Sequence, residues 1–154
     1  MFKNDFNNDF TRGSIGERMM YDYLLSNGYT VDDWRDVDEA RAKDIDFHVR
    51  RNSFDATLEV KTEFMSEKTG NLFIEYFNNG NRNCKGWFNY IEAQFIAFIQ
   101  PSFRKCHIIP VSELVELVQK NNLREVGNRS ENAAGWLLPL SVAMRAPHYK
   151  LIEL

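Results

Sequence analysis

The sequence predicts a mixed α/β fold, and three features carry that expectation. A capped amphipathic helix marks residues 14–28, several strand-length apolar or alternating runs follow, and a second amphipathic helix covers 112–122. At 154 residues the chain has the length of a single domain, 1–154, with a sizeable core. Its 44% hydrophobic and 14% aromatic content argues for a folded globule and against disorder.

Residues 1–12 are polar with scattered Phe and read as a loosely ordered, flexible N-terminal arm. In the helix that follows, Ser14 and Glu17 fit an S-x-x-E capping box. Ile15, Met19, Met20, Tyr23 and Leu24 form its apolar stripe, and Asn27-Gly28 supplies a left-handed stop. Residues 29–34, "YTVDDW", read as a short strand before a charged loop. Strands are expected at 44–50 and 56–63, joined by "RNSFD", and at 71–77, where "NNGN" gives a strong turn signal. "QFIAFIQ" (94–100) and "CHIIPV" (106–111) read as buried strands. The helix "SELVELVQKNN" takes Ser112 as its N-cap, with Leu114, Val115, Leu117 and Val118 apolar. The tail holds "GWLLPLSVA" and ends in "YKLIEL", and no repeat or linker interrupts the chain.

The longest apolar runs, such as 93–99, are too short to cross a bilayer, so no membrane partner is expected. The first residues lack a basic segment followed by an apolar one, which points to a cytoplasmic protein. Cys84 and Cys106 lie far apart without a C-x-x-C partner and read as reduced thiols. A net charge of −3 argues against a non-specific polyanion binder, although local pairs such as Arg50-Arg51 and Arg104-Lys105 remain.

The chemistry concentrates in "DIDFHVRRNSFDATLEVKT", residues 44–62. Residues two apart on a strand share a face. Asp44, Asp46 and His48 therefore lie on one face of the first run, and Glu59 and Lys61 on one face of the second. Antiparallel pairing brings Asp46 close to Glu59 and Lys61. A hard cation such as Mg²⁺ takes carboxylate oxygens, water and substrate phosphate as ligands. Two carboxylates and an ammonium are the minimum parts for metal-assisted phosphodiester hydrolysis. The competing reading is a cross-strand ion pair on the wet face of a hairpin, worth a fraction of a kcal/mol.

"DIDF", with "LEVKT" placing Glu59 thirteen residues after Asp46, resembles the PD-(D/E)xK nuclease superfamily, whose fold is restriction-endonuclease-like. "GSIGERMMYDYLLSNGY" is similar to that family's first core helix, which carries a glutamate. "GNLFIEYFNNG" is similar to the third core strand of phage-type members, and "KGWFNYIEAQFIAFI" and "GWLLPLSVA" fit phage and prophage nucleases of this kind. The resemblance covers about two-thirds of the chain and implies a central mixed sheet flanked by helices. It also implies a Mg²⁺-dependent endodeoxyribonuclease, with Mn²⁺ able to substitute and DNA as partner. Asp46, Glu59 and the Val60 carbonyl would be metal ligands, Lys61 the catalytic lysine, and Glu17 the helix carboxylate, bound directly or through water. The proline that names the motif is Ile45 here.

Several of these residues have plainer readings. Glu17 also serves as the third residue of a capping box, Asp44 shares the face of Asp46, and Glu75 reads as a solvated strand residue. His48 reads as a surface or supporting histidine. Lys85 and Arg82, in the "NRNCK" loop, are weak substrate-binding candidates, and Trp87, Phe88 and Tyr90 read more readily as core than as base-stacking platforms. The alternative function is a catalytically inactive nuclease-fold module that binds DNA or protein, or a regulatory interaction protein. Cleavage of both strands of a duplex would favour a homodimer.

Overall fold

The computed structural model describes residues 3–80, 84–128 and 132–154. A first helix, α1 (Lys3–Ser26), leads into β1 (Thr30–Asp33), a short helix α2 (Asp38–Ala42), and the hairpin β2 (Phe47–Arg51) and β3 (Phe54–Thr62). Then come α3 (Ser66–Thr69), β4 (Asn71–Asn78), β5 (Phe95–Gln100), β6 (Lys105–Pro110) and α4 (Val111–Lys120). The chain ends with β7 (Arg124–Asn128), β8 (Ala133–Pro139), α5 (Leu140–Ala143) and β9 (Lys150–Glu153).

Six strands form the central sheet in the order β1-β2-β3-β5-β6-β9. Only β3 and β5 pair in parallel, so the sheet is mixed. On one face Phe47, Val49, Leu58, Val60, Ala97 and Ile99 pack against Met20 and Leu24 of α1. On the other, Ile96, Phe98 and Ile109 meet Leu72, Ile74 and Leu138 of a second antiparallel sheet, β4-β8-β7, together with Leu114 and Val118 of α4. Each such aliphatic or Phe side chain contributes about 1.5–3 kcal/mol on burial. Alternation along β3 therefore gives Leu58 and Val60 to the α1 face and turns Glu59 and Lys61 the other way.

Five local expectations change. Helix α1 runs back to Lys3 through the stretch expected as a loose arm, because a capping signal can start a helix but does not stop one already running. Ser14 and Glu17 thus lie inside the helix, and Ile15 is exposed instead of joining the stripe. The strand expected from residue 44 starts at Phe47, and Asp44 adopts a left-handed φ of 53°. "RNSFD" is mostly strand: Arg51 pairs with Phe54 across a two-residue turn at Asn52-Ser53. Finally, 71–77 is a strand, but in the second sheet, and β5 takes the place beside β3. In α4, Ser112 falls within the first turn, after Pro110.

A close approach fixes α1 on the sheet. Thr62 Oγ1 accepts the Gly16 N–H at 3.2 Å and donates to the Gly13 carbonyl at 2.7 Å. A Cβ on Gly16 would lie 2.3 Å from that oxygen, so only glycine lets helix and strand meet here. The next helix residue is Glu17.

Candidate active site

The β2–β3 ladder ends at the Phe47–Leu58 pair, and the chain before it turns across the edge of β3. The Asp46 N–H donates to the Leu58 carbonyl at 3.0 Å, and Asp46 Oδ2 accepts the Val60 N–H at 2.9 Å. A strand residue's N–H and C=O point the same way. The Val60 carbonyl therefore faces the same edge, beyond the last rung of the hairpin.

Lys61 Nζ lies 2.8 Å from Glu59 Oε1 and 2.8 Å from Asp44 Oδ2, and 5.3 Å from the centre of the Trp87 ring. Glu59 is among the few buried charged residues of the chain, at 5% exposure. Glu17, Asp44, Asp46 and Glu59 share one open cleft with Arg35 and Arg41. Glu17 accepts from Arg35 Nη1 at 3.3 Å, while Arg35 Nη2 donates to Asp33 at 2.7 Å and the guanidinium rests over Phe47 at 5.3 Å.

Burial pushes the Asp46 carboxyl up to about 6, against the Val60 hydrogen bond that pulls it down, and the nearby Glu17 charge adds to the rise. Burial also raises Glu59 well above the usual carboxylate range, with Asp44 and Asp46 adding repulsion and Lys61 opposing. For Lys61 burial alone favours loss of the proton, but Glu59 and Asp44 outweigh it and hold the ammonium charged. Just past the end of β3, burial raises Glu63 to about 8.

Among the described residues, no three carboxylate, histidine or thiol groups are drawn together tightly enough to form a closed metal cage. The reason is visible in the geometry: the Lys61 ammonium stands between Asp44 and Glu59, and one Asp46 oxygen is spent on a backbone N–H.

Of the residues singled out by sequence, Asp46, Glu59, Lys61 and Glu17 meet at this cleft, with the Val60 backbone at its edge. Asp44 comes with them, closer to Lys61 than its alternation with Asp46 suggested, because its left-handed backbone swings it over the strand end. Glu75 is half-buried and feels the charges of Lys61 and Asp44, unlike the solvated residue expected; burial raises its carboxyl, and Asn78 Nδ2 donates to it at 3.2 Å. Lys85 is exposed in the bridge to Phe77, away from the cleft's lining, and Arg82 lies outside the described residues. His48 belongs to a separate surface network. Arg35 and Arg41 were missed by the sequence reading, since no spacing rule places loop and short-helix arginines against a strand end.

The fold is similar to that of a bacterial homing endonuclease, with a TM-score of 0.51 at 18% identity, over 69% of this chain and 71% of that one. A nuclease from a fusselovirus aligns with a TM-score of 0.40 at 12% identity, over 82% of this chain and 79% of that one. No family model and no curated protein matches the sequence. The first likeness establishes a shared fold, a central mixed sheet flanked by helices.

Proposed function

We propose that the chain is a metal-dependent nuclease that hydrolyses DNA phosphodiester bonds, a phage-type member of the PD-(D/E)xK superfamily acting in the cytoplasm. One observation carries the proposal: the partly buried ammonium of Lys61 is held at 2.8 Å by two carboxylates, one of them the buried Glu59, at a strand end that also presents Asp46 and a backbone carbonyl. A solvated hairpin pair needs no such burial. The bacterial homing endonuclease that shares this fold supports the same reading.

The donor set fits Mg²⁺ or Mn²⁺. All the groups at the strand end are hard oxygens, and one ammonium faces three neighbouring carboxylates, leaving negative charge for a divalent ion to offset. Asp46, Glu59 and the Val60 carbonyl would hold it, with Glu17 reaching from α1. When bound, such an ion polarises a phosphoryl oxygen and lowers the pKa of a coordinated water. Without metal, Glu59 and Asp44 hold Lys61 charged, which suits it to donate to the phosphate oxygens or to the attacking water. Arg35 keeps Glu17 from swinging away by tying it to Asp33 and β2.

The test is nicking of a supercoiled plasmid with Mg²⁺ or Mn²⁺, comparing the parent with Lys61→Ala and Glu59→Ala. The parent is expected to cut and both variants to fail. A parent inert on plasmid, single-stranded DNA and branched DNA would leave the binding-module alternative in its place; variants that cut as well as the parent would remove this site. Asp46→Asn against Asp44→Asn separates the two aspartates, with loss expected to be greater at Asp46.

A further inference from the structure

Five acids line the cleft, Glu17, Asp36, Asp44, Asp46 and Glu59, on a chain of net charge −3. A polyanion enters such a place only where fixed cations receive it. Two arginines line the same cleft, and they differ. Arg35 is committed to Asp33 and Glu17 and stacked on Phe47. Arg41 is exposed, and among the described residues its guanidinium has no acidic or hydrogen-bonding partner, although Asp38, Glu39 and Asp44 are near it in sequence. A guanidinium among acids ordinarily finds one of them, because a bidentate pair is its preferred state.

Arg41 is nevertheless built in. It closes α2, where its N–H donates to the Val37 carbonyl at 2.9 Å and its own carbonyl accepts the Asp44 N–H at 3.2 Å. Ala40, 6% exposed, anchors that helix, and its carbonyl accepts the Ile45 N–H at 3.0 Å. The backbone thus couples the position of Arg41 to Asp44, whose carboxylate touches Lys61.

Resting on the nuclease reading, we infer that Arg41 is a nucleic-acid contact, the guanidinium that takes a backbone phosphate beside the reacting one. The contact is to phosphate, without sequence preference, and contributes equally before and during reaction.

Binding of a labelled duplex and its single strand, read by anisotropy across a salt series, tests this for the parent, Arg41→Ala, Arg41→Lys and Arg50→Ala. The series is run in EDTA, and with Mg²⁺ on a Lys61→Ala background. Arg41→Ala is expected to weaken binding about tenfold whatever the sequence, with a log–log salt slope shallower by about one. Arg41→Lys keeps the slope, and Arg50→Ala, whose guanidinium pairs with Asp32, keeps both. In cleavage, Arg41→Ala raises KM and leaves kcat unchanged. An Arg41→Ala protein with the parent's affinity and slope overturns the inference, as does a parent that binds neither strand form under either condition. A parent that binds, loses slope on Arg41→Ala, and yet cuts as well with Lys61→Ala would overturn the proposed catalytic lysine while leaving Arg41 in place.

Discussion

The β2–β3 hairpin carries two charge clusters, one along its middle and one at its open end, and they are built on opposite terms. Along the middle, His48 Nδ1 sits 3.0 Å from Asp32 and Nε2 2.7 Å from Asp55, Arg50 reaches Asp32 at 3.1 Å, and the imidazole stacks on Trp34. There acids and bases nearly balance, and water reaches them: the Asp55 side chain is 64% exposed. At the open end the Glu59 side chain is 6% exposed, and a single ammonium serves several carboxylates. Identical alternation along the strands produced both clusters. What separates them is the cover over Glu59, whose side chain is 6% exposed beside an ammonium 5.3 Å from the Trp87 ring, whereas water reaches the acids around His48. Charge left unbalanced where water is excluded costs stability, and a protein keeps it only where a ligand resolves it.

Lys61→Ala breaks the contrast most strongly. It strips the buried end of its cation, so nicking should fall by at least about a hundredfold. Chemical denaturation should show a loss of about 3 kcal/mol from the carboxylates left unpaired. Gly16→Ala comes next: the new Cβ pushes α1 away from Thr62 and carries Glu17 with it. Cleavage should drop by about tenfold while circular dichroism remains that of the parent, since small displacements at a reacting centre are costly. A Thr62→Ala change made alongside should recover part of that loss by making room.

Asp46→Asn tests the sign of the imbalance. The Asp46 carboxyl is raised from 3.8 to about 6, so the metal-free fold holds its proton more tightly than the unfolded chain does. Its stabilising share is complete below about 4 and is lost as pH rises through about 6. Melting curves without metal should therefore favour Asp46→Asn over the parent by a growing margin between pH 4 and 6. Added Mg²⁺ should close that margin at pH 7 by stabilising the parent alone. His48→Gln, in the balanced cluster, should cost only a fraction of a kcal/mol and leave cleavage untouched. Hydrogen bonds to Asp55 and then Asp32 raise the His48 pKa, while burial opposes them. Its small contribution is thus full below the unfolded value and fades as pH rises through the folded one.

Much of this was legible in the residues themselves. Period-two alternation with Leu58 and Val60 on the core face dictated that Glu59 and Lys61 share the other, and the DIDF-to-LEVKT spacing put Asp46 beside them. Glu17 was legible only ambiguously, because a capping pattern and a site residue look alike until the helix is seen to continue to Lys3. The crossing of Asp44 depended on a left-handed residue; aspartate is enriched in that conformation, but nothing local marks which aspartate adopts it. The place of β4 was not legible at all. Its partner β8 lies some sixty residues later, and nothing local records a pairing at that range.

That pairing bears on how the chain reaches its final form. The connection from β3 to its parallel neighbour β5 contains β4, and β4 finds its own partner only when residues 133–139 arrive. Neither sheet can be completed from one half of the sequence. Loop closure this long is slow, so folding should be governed by a late, largely non-local barrier. Trp87, beside Lys61, packs into the core that the second sheet completes, so the carboxylates would stay hydrated until that last step, and their mutual repulsion would be met only once the apolar core could oppose it.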